Sequence, residues 1–204
     1  MDSLVREPKQ KRAIEKKERI IKSGFELICK KGFHNINTVD IAKAAEVSTG
    51  IVYQYFQDKH DILMCGLEKY GSEIFYPMFH LDKDKKITKD NYSDIIKEML
   101  EEYTKNHKVS KTAHEEITAM IHSDKEVAEY YYKRELEMTS KIKNYLLDCG
   151  FKSDNLSEKV HVMMGIVDNF CHEVIYHHHR QMNYNTMANI VVDSIYGIFA
   201  DSIA

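Results

Sequence analysis

The period of the chain constrains it most. From about residue 12 onwards, apolar side chains return every three or four positions and almost nowhere every two. That spacing builds helices with one buried stripe rather than strands. Only 2 Pro and 8 Gly interrupt the 204 residues, too few to punctuate an all-β fold. The chain therefore reads as all-α with about nine helices. The expected spans are 12–31, two short helices between Thr38 and Phe56, a longer one after Asp58, then 91–107, 111–122, 124–148, 156–179 and 185–203. Gly32 and Cys149-Gly150-Phe151 read as stop signals, Thr38 and Asp58 as N-caps, and Pro77 as an end near Tyr76. The expected inner stripes are Ile20, Ile21, Gly24, Phe25 and Ile28, then Leu63, Leu67, Tyr70 and Ile74, and later Val127, Tyr131, Met138, Ile142 and Tyr145. The Lys- and Asp-rich stretch at 80–90 reads as a linker.

Several classes are excluded at once. No stretch approaches 18 uncharged apolar residues, so no helix is expected to cross a bilayer. The N-terminal Met-Asp-Ser-Leu-Val-Arg-Glu-Pro-Lys lacks an apolar signal core, which sets the expectation of a cytoplasmic protein. Cys29, Cys65, Cys149 and Cys171 form no paired motif and read as reduced thiols, not as a zinc site or disulfide frame. No nucleophile elbow, Gly-rich phosphate loop or HExxH sequence is present, and no cofactor is expected. The formal net charge of -3 divides unevenly. Residues 1–60 hold 12 Lys and Arg against 8 Asp and Glu, and the rest hold 17 against 24. A basic head on an acidic body directs a polyanion to the head.

The stretch that carries function runs Thr38-Val-Asp-Ile-Ala-Lys-Ala-Ala-Glu-Val-Ser-Thr-Gly-Ile-Val-Tyr-Gln-Tyr-Phe56. Ile41, Ala42 and Ala45 suit the inner side of one short helix, and Val52 and Phe56 that of a second, with Ser48 or Thr49 at its start. Two short helices about a tight turn have helix-turn-helix spacing. The outward side of the second presents Thr49, Gly50, Tyr53 and Gln54, small or hydrogen-bonding groups that suit a DNA groove.

From about Arg12 to Leu63 this sequence resembles the DNA-binding domain of the TetR family of transcriptional regulators. The resemblance rests on Gly32-Phe33, Thr38, Ile41-Ala42, Ala45, Val47-Ser48, Gly50, Tyr53, Tyr55-Phe56, Asp58-Lys59 and Ile62-Leu63. It implies phosphate contacts from Thr38, Tyr53, Tyr55 and Lys59, anchoring of the recognition helix by Ser48 and Thr49, and close backbone approach at Gly50. Gln54 is the residue that would pair with a base edge. Tyr53 and Tyr55 also suit core support, and Lys9, Lys11, Arg12, Lys16 and Lys17 suit either a basic arm or a solvated tail. One departure stands out: Glu46 occupies the turn position that is often Gly, and a positive φ there costs about 1–2 kcal/mol. The resemblance implies a homodimeric regulator, a repressor released by a small-molecule effector. Residues 1–58 would read a palindromic double-stranded operator, and residues 59–204 would bind the effector and dimerise.

The C-terminal helices carry weaker signals. The run Val160–Cys171 is apolar almost all round, and Ile190, Val191, Ile195, Ile198, Phe199 and Ile203 follow it. A helix with two apolar faces must bury both, so the last two helices read as a dimerisation surface, or else as a surrounded central pair. Tyr103, Met120, Met163, Asp168, Asn169 and Phe170 are candidates to touch an effector, with core packing or a dimer seam as the plainer roles. His177, His178 and His179 on a helix would point about 100° apart and so share no metal. The single Glu158-x-x-His161 lacks the partner motif of a di-iron site. A metal-carboxylate enzyme or a helical ligand-binding protein without DNA binding remains the alternative.

Overall fold

The structure, a computed structural model, describes residues 10–71, 85–106 and 109–202. Among the described residues the chain is nine α-helices and no strand: α1 (Lys11–Lys31), α2 (Thr38–Ala44), α3 (Thr49–Tyr55), α4 (Lys59–Tyr70), α5 (Tyr92–Asn106), α6 (Lys111–Ser123), α7 (Lys125–Asp148), α8 (Leu156–Tyr176) and α9 (Tyr184–Phe199). Lys9, Ile74, the Pro77 stop, the first half of the 80–90 linker and Ile203 lie outside the described residues. The helices group into two compact units, Met1–Phe75 with Lys108–Tyr132 and Tyr76–His107 with Lys133–Ala204. The first unit thus takes in α4 and α6, beyond the 58/59 boundary drawn from sequence.

In the first unit, α1 buries the expected stripe of Ile20, Ile21, Gly24, Phe25 and Ile28. Each large side chain gains about 1.5–3 kcal/mol on burial, more than the modest helix penalty of Ile. The helix stops at Gly32, whose φ of +90° suits glycine and whose amide donates to the Ile28 carbonyl at 2.8 Å. α4 crosses α1 closely, because a Cβ at Gly66 would lie 2.3 Å from the Phe25 ring. The α4 start is capped by Asp58, whose Oδ1 accepts from the amides of His60 (2.7 Å) and Asp61 (3.1 Å). α6 closes the unit with Ala113, Ile117 and Met120 buried.

The start of α2 corrects the sequence reading. Asn37, not Thr38, is the N-cap: its Oδ1 accepts from Val39 N (2.9 Å) and Asp40 N (3.0 Å), while Asp40 Oδ2 accepts from Asn37 N (2.9 Å). The reciprocal pair satisfies three amides, whereas a Thr38 cap would begin one residue later and lose the Asp40 return bond.

In the second unit, α8 packs on α9 and α5 packs on both. α7 contributes its start, through Tyr132, to the first unit and the rest to the second, and its inner face is rotated from the expected one. Val127, Tyr130, Ile142 and Leu146 are buried, while Tyr131, Met138 and Tyr145 are only half-buried. α8 ends at Tyr176 rather than His179. The His179 amide donates to the Tyr184 hydroxyl at 2.6 Å, His179 Nδ1 meets Glu173, and His178 stacks on Tyr184 with centroids 4.3 Å apart. These contacts turn the chain into α9 and exclude a further helical turn. α8 and α9 bury Val160, Met163, Val167, Phe170, Val192 and Ile195, yet leave Val162 at 55% and Ile190 at 58% exposure. No described helix is long and apolar enough to cross a membrane.

Candidate nucleic-acid interface

The turn between α2 and α3 is closed by its backbone. Ala45 N donates to Ile41 O (2.9 Å), Glu46 N to Lys43 O (3.2 Å) and Val47 N to Ala42 O (3.0 Å). Closing it this tightly puts Glu46 at φ +53°, the left-handed region that favours glycine. The cost is carried by the helix pair behind it, where Ile41, Ala45 and Val52 are each 0% exposed. Ala42 is buried as expected, and Phe56, C-cap of α3, completes this small core.

The opposite side of α3 is open. Gly50 and Gln54 are exposed, Tyr53 is 53% exposed, and Thr49 is half-buried. Ser48 is the N-cap residue, and its side chain makes no capping bond. A Cβ placed on Gly50 would come no nearer than 4.0 Å to another atom, the Ser48 Oγ. Nothing within this chain therefore requires glycine at that position. The Tyr53 hydroxyl and Thr38 Oγ1 share a hydrogen bond of 2.8 Å, which ties the outer face of α3 to the first turn of α2. Thr38, although not the cap, thus lies beside this face. Val39 beside it is 59% exposed, a position that period alone did not single out. α3 has no charged side chain, so any selectivity here comes from neutral groups.

Two residues sit differently from the sequence expectation. Tyr55 is buried at 6% exposure, which fits the core-support reading. Lys59 faces inward: its Nζ donates to the carbonyls of Phe33 and Ile36, both at 2.8 Å, and lies 4.3 Å from the Phe33 ring centroid. Two of its three N–H groups therefore clamp the loop between α1 and α2. Lys17 lies 5.8 Å over the Phe56 ring, while Lys11 and Arg12 are exposed.

α6 and the start of α7 hold this head from behind. The Glu116 carboxylate accepts from His34 N (2.9 Å) and Asn35 Nδ2 (3.1 Å). His60 Nε2 meets Asp124 Oδ2 at 2.8 Å. Burial raises the Asp124 pKa, but amide donation from Val127 and the nearby His60 outweigh it and leave the carboxyl below its usual range. None of these ties was legible in sequence, because the partners lie 64 to 82 positions apart.

The six effector candidates are divided between the two units. Met120 lies on α6 in the first unit, and the other five lie in the second. Tyr103, Met163 and Phe170 are buried. Asn169 is exposed and Asp168 half-buried, since neighbours on a helix point about 100° apart. Burial pushes the Asp168 carboxyl up, only partly offset by His172 Nε2 at 3.6 Å and reinforced by Glu135. Burial also raises the Tyr103 phenol, and pushes the Cys171 thiol up to about 12. Among the described residues no group of three His, Cys, Asp or Glu is placed to hold a metal.

A short-helix pair closed by a left-handed turn, with one face buried and the other open, defines a helix-turn-helix protein. Residues 20–64 match the bacterial regulatory proteins of the tetR family. The chain is 39% identical over 66 residues to the HTH-type transcriptional regulator HbdR of Aromatoleum sp. strain CIB, covering 32% of this chain and 28% of that one. It is 29% identical over 139 residues to the HTH-type transcriptional regulator YerO of Bacillus subtilis strain 168, covering 65% and 46%. The chain thus spans less than half the length of these relatives. A TetR-family structure from Mesorhizobium loti superposes with a TM-score of 0.70 over 96% of this chain and 100% of that one, at 14% identity, a likeness of fold. Residues 20–64 thus carry the TetR-family DNA-binding region, and the fold of the described residues is like that of a TetR-family structure.

Proposed function

We propose that this chain is a DNA-binding transcriptional regulator acting as a homodimer, with α3 as the helix that enters the major groove. The observation that carries the reading is the open face of α3. Gly50 and Gln54 are exposed, and Tyr53 is 53% exposed with its hydroxyl held against Thr38. Gln54 reads a base edge, most simply adenine; Thr38 and Tyr53 meet phosphates; Gly50 lets the backbone approach. Ser48 and Thr49 seat the helix start. Tyr55 and Lys59 act from behind, by packing and by clamping the Phe33–Ile36 loop. Residues 1–58 carry the DNA contacts, and residues 59–204 carry effector binding and dimerisation.

The dimer forms through the outer sides of α8 and α9. The support is Val162 and Ile190, each more than half exposed, and the open space around Gly165 and Gly197, where an added Cβ meets nothing. Asn169 belongs to this outer side. A two-fold pair then presents two α3 helices about 34–36 Å apart to successive major grooves of a palindrome. A small-molecule effector releases the repressor by binding one of two states better.

The experiment is selection of DNA from a random pool, followed by fluorescence anisotropy at two salt concentrations and sedimentation of the complex. Enrichment of a palindrome bound by two chains is the expected result. A pool that enriches nothing, or binding that ignores sequence, refutes the reading.

A further inference from the structure

A cavity of about 60 Å³ lies inside the second unit, between the start of α5, the end of α7, α8 and the end of α9. Every side chain that lines it is Ile, Leu, Met, Phe or Tyr. No carboxylate, ammonium, amide or aliphatic hydroxyl reaches it. The polar tip of one lining tyrosine is already engaged, since the Tyr145 hydroxyl donates to the Lys85 carbonyl. The Tyr92 and Tyr196 rings stack at 4.7 Å and offer a flat aromatic wall. Protein interiors are close-packed, and a partly open gap lined this way offers water no side-chain hydrogen bond beyond the tyrosine tips. Of the six effector candidates read from sequence, only Met163 lies here.

We propose that this cavity is a binding site for a small uncharged hydrocarbon-like molecule, with its walls supplied by α5, α7, α8 and α9. A charged group seated against these walls would give up part of its hydration with no charged or amide group to replace it. The cavity is smaller than the roughly 150 Å³ void that takes up benzene in an engineered core. Two of its walls, Met99 and Met163, can yield because unbranched thioether chains repack at little cost, and Ile87 at the edge is only half-buried. Met163, Ile195 and Phe199 reach the cavity from the inner sides of α8 and α9, whose outer sides carry Val162 and Ile190. A ligand that spreads this pair therefore acts on the surface assigned above to dimerisation. That consequence rests on the regulator reading; the binding itself does not.

The test titrates the full chain, labelled with ¹³C at its methionine methyls, with benzene and separately with benzoate. Expected are saturable shifts at Met99 and Met163, no shift at Met64 or Met120, and benzoate weaker by at least about a hundredfold. Ile195→Phe, which narrows the cavity, should weaken benzene by about tenfold or more. Should that variant unfold, the wild-type titration still decides. Absence of saturation at Met99 and Met163, equal shifts at Met64 and Met120, or benzoate matching benzene overturns the site. DNA anisotropy at saturating benzene separates the two readings. An unchanged affinity removes the regulatory consequence, and a chain that takes benzene but binds no DNA even without benzene overturns the regulator instead.

Discussion

Lys59 gives the sharpest test of the head, because resemblance and structure assign it different work. As a phosphate contact it would matter only with DNA present. In the structure its ammonium donates two 2.8 Å bonds to the Phe33 and Ile36 carbonyls and lies over the Phe33 ring. Lys59→Met keeps the stem on the ring and removes both bonds. A hydrogen bond from a charged donor is worth about 1.5–3 kcal/mol net, and partial exposure of the site takes each bond to the low end. The expected loss is about 2–4 kcal/mol, measured without DNA by urea unfolding as a lower midpoint at unchanged slope. The second readout is the salt dependence of DNA affinity. Removing one phosphate contact lowers the slope of log K against log salt by about 0.9, whereas loosening the loop lowers affinity with the slope nearly intact. Stability changed by less than about 0.5 kcal/mol, together with a slope reduced by one contact, would falsify the clamp and restore the phosphate role.

Other substitutions follow from the same geometry. Gln54→Ala should cost about 1–3 kcal/mol of discrimination per half-site while leaving the salt slope and the melting curve unchanged; uniform weakening on all sequences would count against base reading. The depressed carboxyl of Asp124 contributes stability that is present above the unfolded carboxylate value, about 3.9, and is lost as pH falls through its lower folded value. Asp124→Asn should therefore be less stable at neutral pH and should flatten the acid limb of a melting-temperature profile, and an unaltered limb would reject the assignment. Asp168 behaves oppositely. Its raised folded value means stability falls as pH rises from the unfolded value through the folded one, so Asp168→Asn should raise the melting temperature at pH 7. Cys171, 0% exposed with its thiol pushed up to about 12, should resist alkylation at pH 8 in the folded chain and react once urea is added. Labelling as fast as that of Cys149 would contradict its burial.

The head was largely legible because its information is local. Helix period, the Gly32 stop, the Asp58 cap and the two-helix spacing all act within a few residues, and the α1 stripe of Ile20, Ile21, Phe25 and Ile28 follows from periodicity alone. Even Glu46 could be anticipated, since a tight turn between two short helices forces one residue towards positive φ. Where local signals compete, sequence chose less well. Thr38 and Asn37 are both good caps, and the return bond from Asp40 decides for Asn37.

The rest was decided by tertiary structure. Lys59 turned inward because two loop carbonyls from 23 and 26 positions away met its ammonium. Asp168 and Asn169 parted, one towards the core and one to the open side, because their helix packs on one face only. Met120 belongs to the first unit because α6 packs on α1. The apolar cavity has no signature in the sequence at all. It exists where the ends of α5, α7 and α9 meet α8 without quite filling the space, and such a mismatch depends on helix placement rather than on residue type. The sequence by itself determined which segments are helices, which face of each is apolar and which short pair carries the turn, since these are set by period and by capping chemistry. Which polar groups find partners, and which apolar surfaces remain uncovered, depends on contacts between residues far apart in the chain, and only the packed fold supplies those.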